Sequence, residues 1–191
     1  MGSDSDWNVM SDAAAMLRES VTHVMSQAGD ANDPTPTLFA LATTDAAEFR
    51  PAEKKALMFK AGPETIAGET KPALFTHAAS RLIFKDVTVP DNGRLKAWIA
   101  VKEEAWSQEA SDGVLFRFGV DDGRYDELLN QLVDPRHNAN DRGWLPVDID
   151  LTAYAGQKVK LIFNTNTSLP GKDNGAYDFA VWGEPSIVTR P

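Results

Sequence analysis

Trp144-Leu-Pro-Val-Asp-Ile-Asp-Leu-Thr-Ala-Tyr-Ala-Gly-Gln-Lys-Val-Lys-Leu-Ile-Phe-Asn164, followed by Tyr177-Asp-Phe-Ala-Val-Trp-Gly-Glu-Pro-Ser-Ile187, reads as strand, tight turn, strand, loop, strand. Val159, Leu161 and Phe163 alternate with Lys158, Lys160 and Ile162, the period of two that belongs to a strand. Tyr177, Phe179 and Val181 alternate in the same way with Asp178, Ala180 and Trp182. Gly156 sits where the turn needs a positive φ, which glycine adopts at least cost. Asp150 and Tyr154 pin that turn, and Pro185 is expected to end the Trp182 strand.

The same signal extends upstream. Arg81 to Val89 reads as a strand ended by the turn cluster Pro90-Asp-Asn-Gly93. Arg94 to Val101 follows, with Leu95, Ala97, Ile99 and Val101 on one face and Lys96 and Trp98 on the other. Val114, Phe116, Phe118 and Val120 point inward, Arg117 points outward, and Asp121-Asp-Gly123 signals a hairpin. Leu38 to Thr43 reads as the first strand. Arg124 to Val133 fits a strand or a short helix, and Pro51 can open a short helix. Short strands separated by Gly, Pro, Asn and Asp, without intervening long helices, favour a sandwich over a doubly wound sheet. The core is expected to hold Phe116, Phe118, Leu161, Phe163, Phe179 and Val181.

Before this region, Met10, Ala13, Leu17, Val21 and Val24 recur at helical spacing. The pattern predicts an N-terminal α-helix whose apolar stripe packs on the domain or meets a protein partner. Residues 29–37 are rich in turn formers and read as a linker. The expected organisation is therefore a helix and linker over 1–36 and an all-β sandwich over 37–191.

Composition narrows the function classes. The 191 residues are 42% hydrophobic and carry a net charge of −9. That charge disfavours nucleic acid, whose phosphates need a basic face, and electrostatic docking on anionic membranes. Cysteine is absent, so disulfides and thiolate metal sites are excluded. No apolar run approaches the ~20 residues that span a bilayer, so no direct membrane insertion is expected. The polar, acidic start shows no signal peptide, and the chain reads as a piece of a longer protein.

The order His77-Ala-Ala-Ser-Arg-Leu-Ile-Phe84, Asp112-Gly-Val-Leu-Phe-Arg-Phe118, Trp144 with Val147-Asp-Ile-Asp-Leu-Thr-Ala-Tyr-Ala-Gly-Gln157, and Asp178-Phe-Ala-Val-Trp-Gly-Glu-Pro185 resembles carbohydrate-binding-module-like, galactose-binding-like jelly rolls. The resemblance spans about residues 71–187. Such domains occur in glycosidases and in extracytoplasmic parts of bacterial membrane proteins. It implies a jelly-roll β-sandwich, a non-catalytic binding module, a saccharide partner and an extracytoplasmic place. No cofactor or metal ligand set is expected; jelly rolls of this type often hold a structural calcium, for which the turns Asp121-Asp122-Gly123 and Lys172-Asp-Asn-Gly175 offer oxygens, but both are ordinary turn sequences and no EF-hand pattern appears.

The residues favour binding over catalysis. There is no cysteine nucleophile and no Gly-x-Ser-x-Gly elbow, and His23, His77 and His137 have no metal-motif spacing. A sugar site needs an aromatic face and planar polar groups. Trp106 in a polar loop, outward-facing Arg117, and His137, Asn138 and Trp144 in and beside the Arg136–Arg142 loop are the ligand-binding candidates. The expected ligand is a neutral glycan or cell-envelope saccharide. The alternative is a structural or protein-interaction jelly roll in which these aromatics only pack.

Overall fold

The computed structural model describes residues 37–168 and 174–189. The helical stripe of Met10 to Val24 and the Lys172–Asp173 half of the second calcium turn lie outside them. Among the described residues ten strands form two five-stranded sheets. They are β1 (Ala47–Arg50), β2 (Phe59–Ile66), β3 (Glu69–His77), β4 (Ser80–Thr88), β5 (Gly93–Val101), β6 (Val114–Asp121), β7 (Tyr125–Val133), β8 (Leu145–Asp150), β9 (Lys158–Thr167) and β10 (Phe179–Thr189). The first sheet has the order β1-β4-β9-β6-β7 and the second β2-β3-β10-β5-β8. All pairings are antiparallel. The expected all-β jelly-roll sandwich is thus the observed fold.

The core lies between the sheets. Leu95, Ala97, Ile99 and Val101 meet Val114, Phe116, Phe118, Val120, Leu161 and Phe163 there. Gly156 takes a φ of +73° at its turn, as its position predicts. Asp121 closes the β6–β7 hairpin by accepting the Gly123 amide at 3.0 Å. Arg124–Val133, open between strand and helix in sequence, is a strand because β6 pairs with it from Val114–Val133 to Asp121–Tyr125.

Three expectations change. Leu38–Leu41 is a short helix (α1), not a strand, capped by the Thr37 hydroxyl accepting the Ala40 amide at 3.2 Å. The faces of β10 are exchanged: Ala180 and Trp182 enter the main core, whereas Val181 is buried on the opposite face and Phe179 is only partly buried. Both faces of β10 are apolar, so alternation alone leaves the choice open. Pro185 does not end the strand; it lies inside β10 where the pairing with β5 shifts between Gly183 and Ser186. A bulge tolerates a residue that cannot donate to the ladder. The β2–β3 hairpin, which no motif announced, completes the second sheet.

At the edge of the first sheet, Lys85 (2.6 Å) and Arg50 (2.5 Å) both meet the Glu48 carboxylate and hold it down to about 2. Because the folded value lies below the free one, this contribution is full above about pH 4.5 and is lost as pH falls toward 2. Thermal melts between about pH 5 and pH 2 at low salt should therefore show a fall that Glu48→Gln makes shallower and that added salt weakens. An unchanged profile in the variant would remove this pair from the acid response.

Candidate functional site

The outer face of the first sheet gathers planar polar groups by strand register. Arg50, Arg81, Asn164, Arg117 and Asn130 fall in one row across all five strands. The neighbouring row is Glu48, Ile83, Ile162, Gly119 and Glu127. Arg117 pairs with Glu127, which also accepts the Asn130 amide at 2.8 Å. Asn164, at the centre of the row, is buried, at 4% exposure. Its carbonyl accepts Arg81 Nε at 2.7 Å, and its amide donates to the Tyr125 hydroxyl at 3.3 Å.

Tyr125 is the exposed aromatic of this face, with 40% of its surface in solvent. Its ring lies directly on Gly119, where a Cβ would come within 2.5 Å of the ring. Glycine is thus required for the close approach of the ring to the sheet. Burial, then the charge of Glu127, raises the Tyr125 hydroxyl above its ordinary value, so it stays a neutral donor and acceptor. An apolar ring face bordered by fixed amide and guanidinium groups can stack on a sugar ring and bond its hydroxyls.

The outer face of the second sheet is aromatic but closed. Ala73, Ala100 and Val181 are fully buried there beneath Trp144 and partly buried Phe75, Trp98 and Trp106. The Trp144 ring rests on Gly183, and its Nε1 donates to the Glu69 carbonyl at 3.0 Å. Trp106 Nε1 donates to the Val101 carbonyl at 2.9 Å. The Lys71 ammonium lies 4.5 Å above the Trp98 ring and pairs with Glu69 at 2.6 Å and Glu184 at 3.5 Å. Each of these indoles is engaged by the protein itself.

The five residues expected to form one site are therefore divided among three places. Trp106 and Trp144 pack on the second sheet, and Trp144, at 8% exposure, offers little surface to a ligand. Arg117 belongs to the Tyr125 face of the first sheet. His137 and Asn138 are exposed in the connection from β7 to β8, which is closed on itself. His137 Nδ1 bonds Asp134 at 2.8 Å, and the Asn138 amide donates to Asp141 at 2.9 Å. Tyr125, Arg81 and Asn164 were not singled out in the sequence. A detectable signal existed in Asn164, a turn-favouring residue among the apolar and basic residues of a central strand.

The loop end of the sandwich holds a second polar group. By alternation Asp178 shares the inward face of Ala180 and Trp182, and it is fully buried. Neither of its carboxylate oxygens has a hydrogen-bond partner, nor has Asp112 Oδ1. Burial, and then the charge of Asp112, pushes Asp178 up to about 7. The hairpin turn proposed for calcium is differently disposed: Asp121 meets the Gly123 amide and Lys160, and Asp122 meets the Arg124 amide. Among the described residues no three His, Asp or Glu side chains gather as a metal set. No helix of the described residues is long and apolar enough to cross a membrane.

No family model matches the chain. An uncharacterized protein of Archaeoglobus fulgidus is 35% identical over 149 residues, covering 73% of this chain. The chain spans 37% of that relative's length. Among solved structures, the CBM51 from Clostridium perfringens GH95 in complex with methyl-galactose is similar with a TM-score of 0.50 and 15% identity, covering 80% of this chain and 99% of that one. The K1 cleaved adhesin domain of Lys-gingipain from Porphyromonas gingivalis has a TM-score of 0.51 and 15% identity, covering 82% and 97%. At these identities the likeness is one of fold: the chain has the jelly-roll fold found in carbohydrate-binding modules and cleaved adhesin domains.

Proposed function

We propose that this domain is a non-catalytic saccharide-binding module of an extracytoplasmic protein, and that its ligand lies across the outer face of the first sheet. The observation that carries the reading is the Tyr125 ring seated on Gly119 beside the Arg81–Asn164–Arg117–Asn130 row. Tyr125 supplies the stacking surface. Arg81 and Asn130 bond hydroxyls at either side. Asn164, bonded to both Arg81 and Tyr125, is a positioning residue. Glu127 fixes the Arg117 guanidinium and lowers the local charge. With a net charge of −9, a neutral saccharide is the first ligand to test. The fold shared with a module bound to methyl-galactose supports the choice of ligand class.

The alternative, a structural jelly roll, is favoured for the second sheet, where the Trp106 and Trp144 indole N–H groups are both spent on backbone carbonyls. The two readings separate in a glycan array followed by an NMR titration. A shallow open face predicts an affinity in the millimolar to micromolar range, ~4–8 kcal/mol. Tyr125→Ala should weaken binding about tenfold or more, ~1.4 kcal/mol, with little loss of stability. Arg81→Ala should also weaken it, and Trp106→Ala should not. Binding unchanged by Tyr125→Ala would refute this site, and no binding to any saccharide would favour the structural domain.

A further inference from the structure

The outer face of the first sheet is cationic along its central row, although the chain as a whole is acidic. Arg50 stands directly opposite Arg81, and Arg117 follows on the far side of Asn164. Like charges directly opposite on neighbouring strands repel, so each charge in the row calls for an anion. Arg50 is answered by Glu48, which Lys85 also holds, and Arg117 is answered by Glu127. Arg81 is exposed, and no carboxylate of the described residues meets it. Four cations thus share two carboxylates, and Arg81 is the one that has neither.

The Asn164 amide fixes how Arg81 is presented. Its carbonyl accepts Arg81 Nε at 2.7 Å, and no described residue accepts from the two terminal nitrogens. Those nitrogens form a planar fork that matches the two oxygens of a carboxylate. The other end of the same amide donates to the Tyr125 hydroxyl at 3.3 Å. The fork and the exposed ring are therefore one amide group apart, a span that a single sugar ring bridges. Burial and the Glu127 charge act most strongly on the Tyr125 hydroxyl, and the Arg117 and Arg81 charges reach it as well, so both guanidiniums lie beside it. A tetrahedral sulfate or phosphate group would draw on a second cation, and both neighbouring guanidiniums are already held by their own carboxylates. The net charge of −9 does not oppose an anion here. Exposed charges farther away than a Debye length, about 8 Å at physiological salt, are largely screened, and the local row decides the contact.

We infer that the Tyr125 face takes saccharides that carry a uronic acid residue, with the pyranose ring on Tyr125 and its carboxylate on the Arg81 fork. This rests on the saccharide-binding reading above and narrows it. Neutral sugars bind through ring and hydroxyl contacts, and the carboxylate adds to them. Arg81 then determines specificity, and Asn164 aims it.

The test is an NMR titration of the full chain with matched pairs of ligands. Methyl galacturonide is set against methyl galactoside, and methyl glucuronide against methyl glucoside; each pair differs only by a carboxylate in place of a hydroxymethyl group. In the pair whose ring the face accepts, the uronide should bind about tenfold tighter or more at low salt. That advantage should shrink several-fold between about 20 mM and about 500 mM salt. Arg81→Gln should bring both members of the pair to the same affinity, and Arg81→Lys should keep part of the preference. The melting temperature of Arg81→Gln should equal or exceed that of the wild type, because Arg50 loses a like-charged neighbour. The lost preference is then not a lost fold, and the salt dependence of the wild-type pair tests the assignment without any variant. Equal affinity for the two members in the wild type would overturn the inference; the saccharide site itself stands if Tyr125→Ala still weakens the neutral sugar. A preference that survives Arg81→Gln, or a sulfated galactoside that binds tighter than the uronide, would overturn it too. Binding of neither kind of sugar would overturn both the inference and the reading beneath it.

Discussion

Truncation of Phe163 to Ala should destabilise the domain by ~3–5 kcal/mol, the cost of removing a large aromatic from a core that cannot collapse. Phe163 is 1% exposed and stands where the two sheets meet. Its ring touches Phe84 (5.4 Å) and Phe118 (5.0 Å) of its own sheet and Trp182 (4.9 Å) of the other, all in edge-on geometry. Such pairs add to plain burial because the positive ring edge meets the negative face. Denaturant unfolding monitored by tryptophan fluorescence should show a lower midpoint, and the melting temperature should fall by about 10 °C or more. Phe179→Ala is the internal control. Phe179 is half-buried on the outer face of the second sheet, against Phe75, His77 and Tyr177, and its loss should cost clearly less. Equal costs at the two positions would mean that β10 presents the opposite face to the core.

Trp144→Ala should cost ~3–4 kcal/mol while leaving saccharide affinity unchanged. The indole covers Ala73, Ala100 and Val181, and its N–H satisfies the Glu69 carbonyl. Truncation opens that small core to water and leaves the carbonyl without its donor. The measurement joins equilibrium unfolding to a saccharide titration on the same variant, at a temperature where it remains folded. A folded Trp144→Ala protein of normal stability that no longer binds sugar would make Trp144 a ligand contact. It would return the site to the loops around His137 and Asn138. The expected result instead separates two aromatic surfaces: one spent on packing the second sheet, one left open at Tyr125.

Much of this distinction is invisible to local pattern. Trp98 alternates with Ile99, so its outward direction is legible, and the structure places it outward. Whether an outward tryptophan meets water depends on what folds over it. Here Lys71 lies above the Trp98 ring, and Trp144 covers the neighbouring cluster from a connection 46 residues downstream in the chain. Arg117 is a parallel case. Its outward direction was readable, but its neighbours Asn164, Asn130 and Glu127 come from two other strands and depend on register. Asp178 shows the same limit, because the Asp112 carboxylate that acts on it comes from another connection.

The sequence by itself determined the strands with strict alternation (β5, β6, β9), the Gly156 turn, the Asp121-Asp122-Gly123 hairpin and hence the sandwich class. Those features are set within a few residues by the period of the pleat and by which side chains tolerate a turn. Only the tertiary structure decided which apolar face of β10 enters the core, that Trp106 and Trp144 pack while Tyr125 is left open, and that Arg81, Asn164, Arg117 and Asn130 form one row. The physical reason is that burial and hydrogen-bond satisfaction are properties of pairings between distant segments. A one-residue change of register would carry the strand residues Arg81, Asn164, Arg117 and Asn130 to the other face.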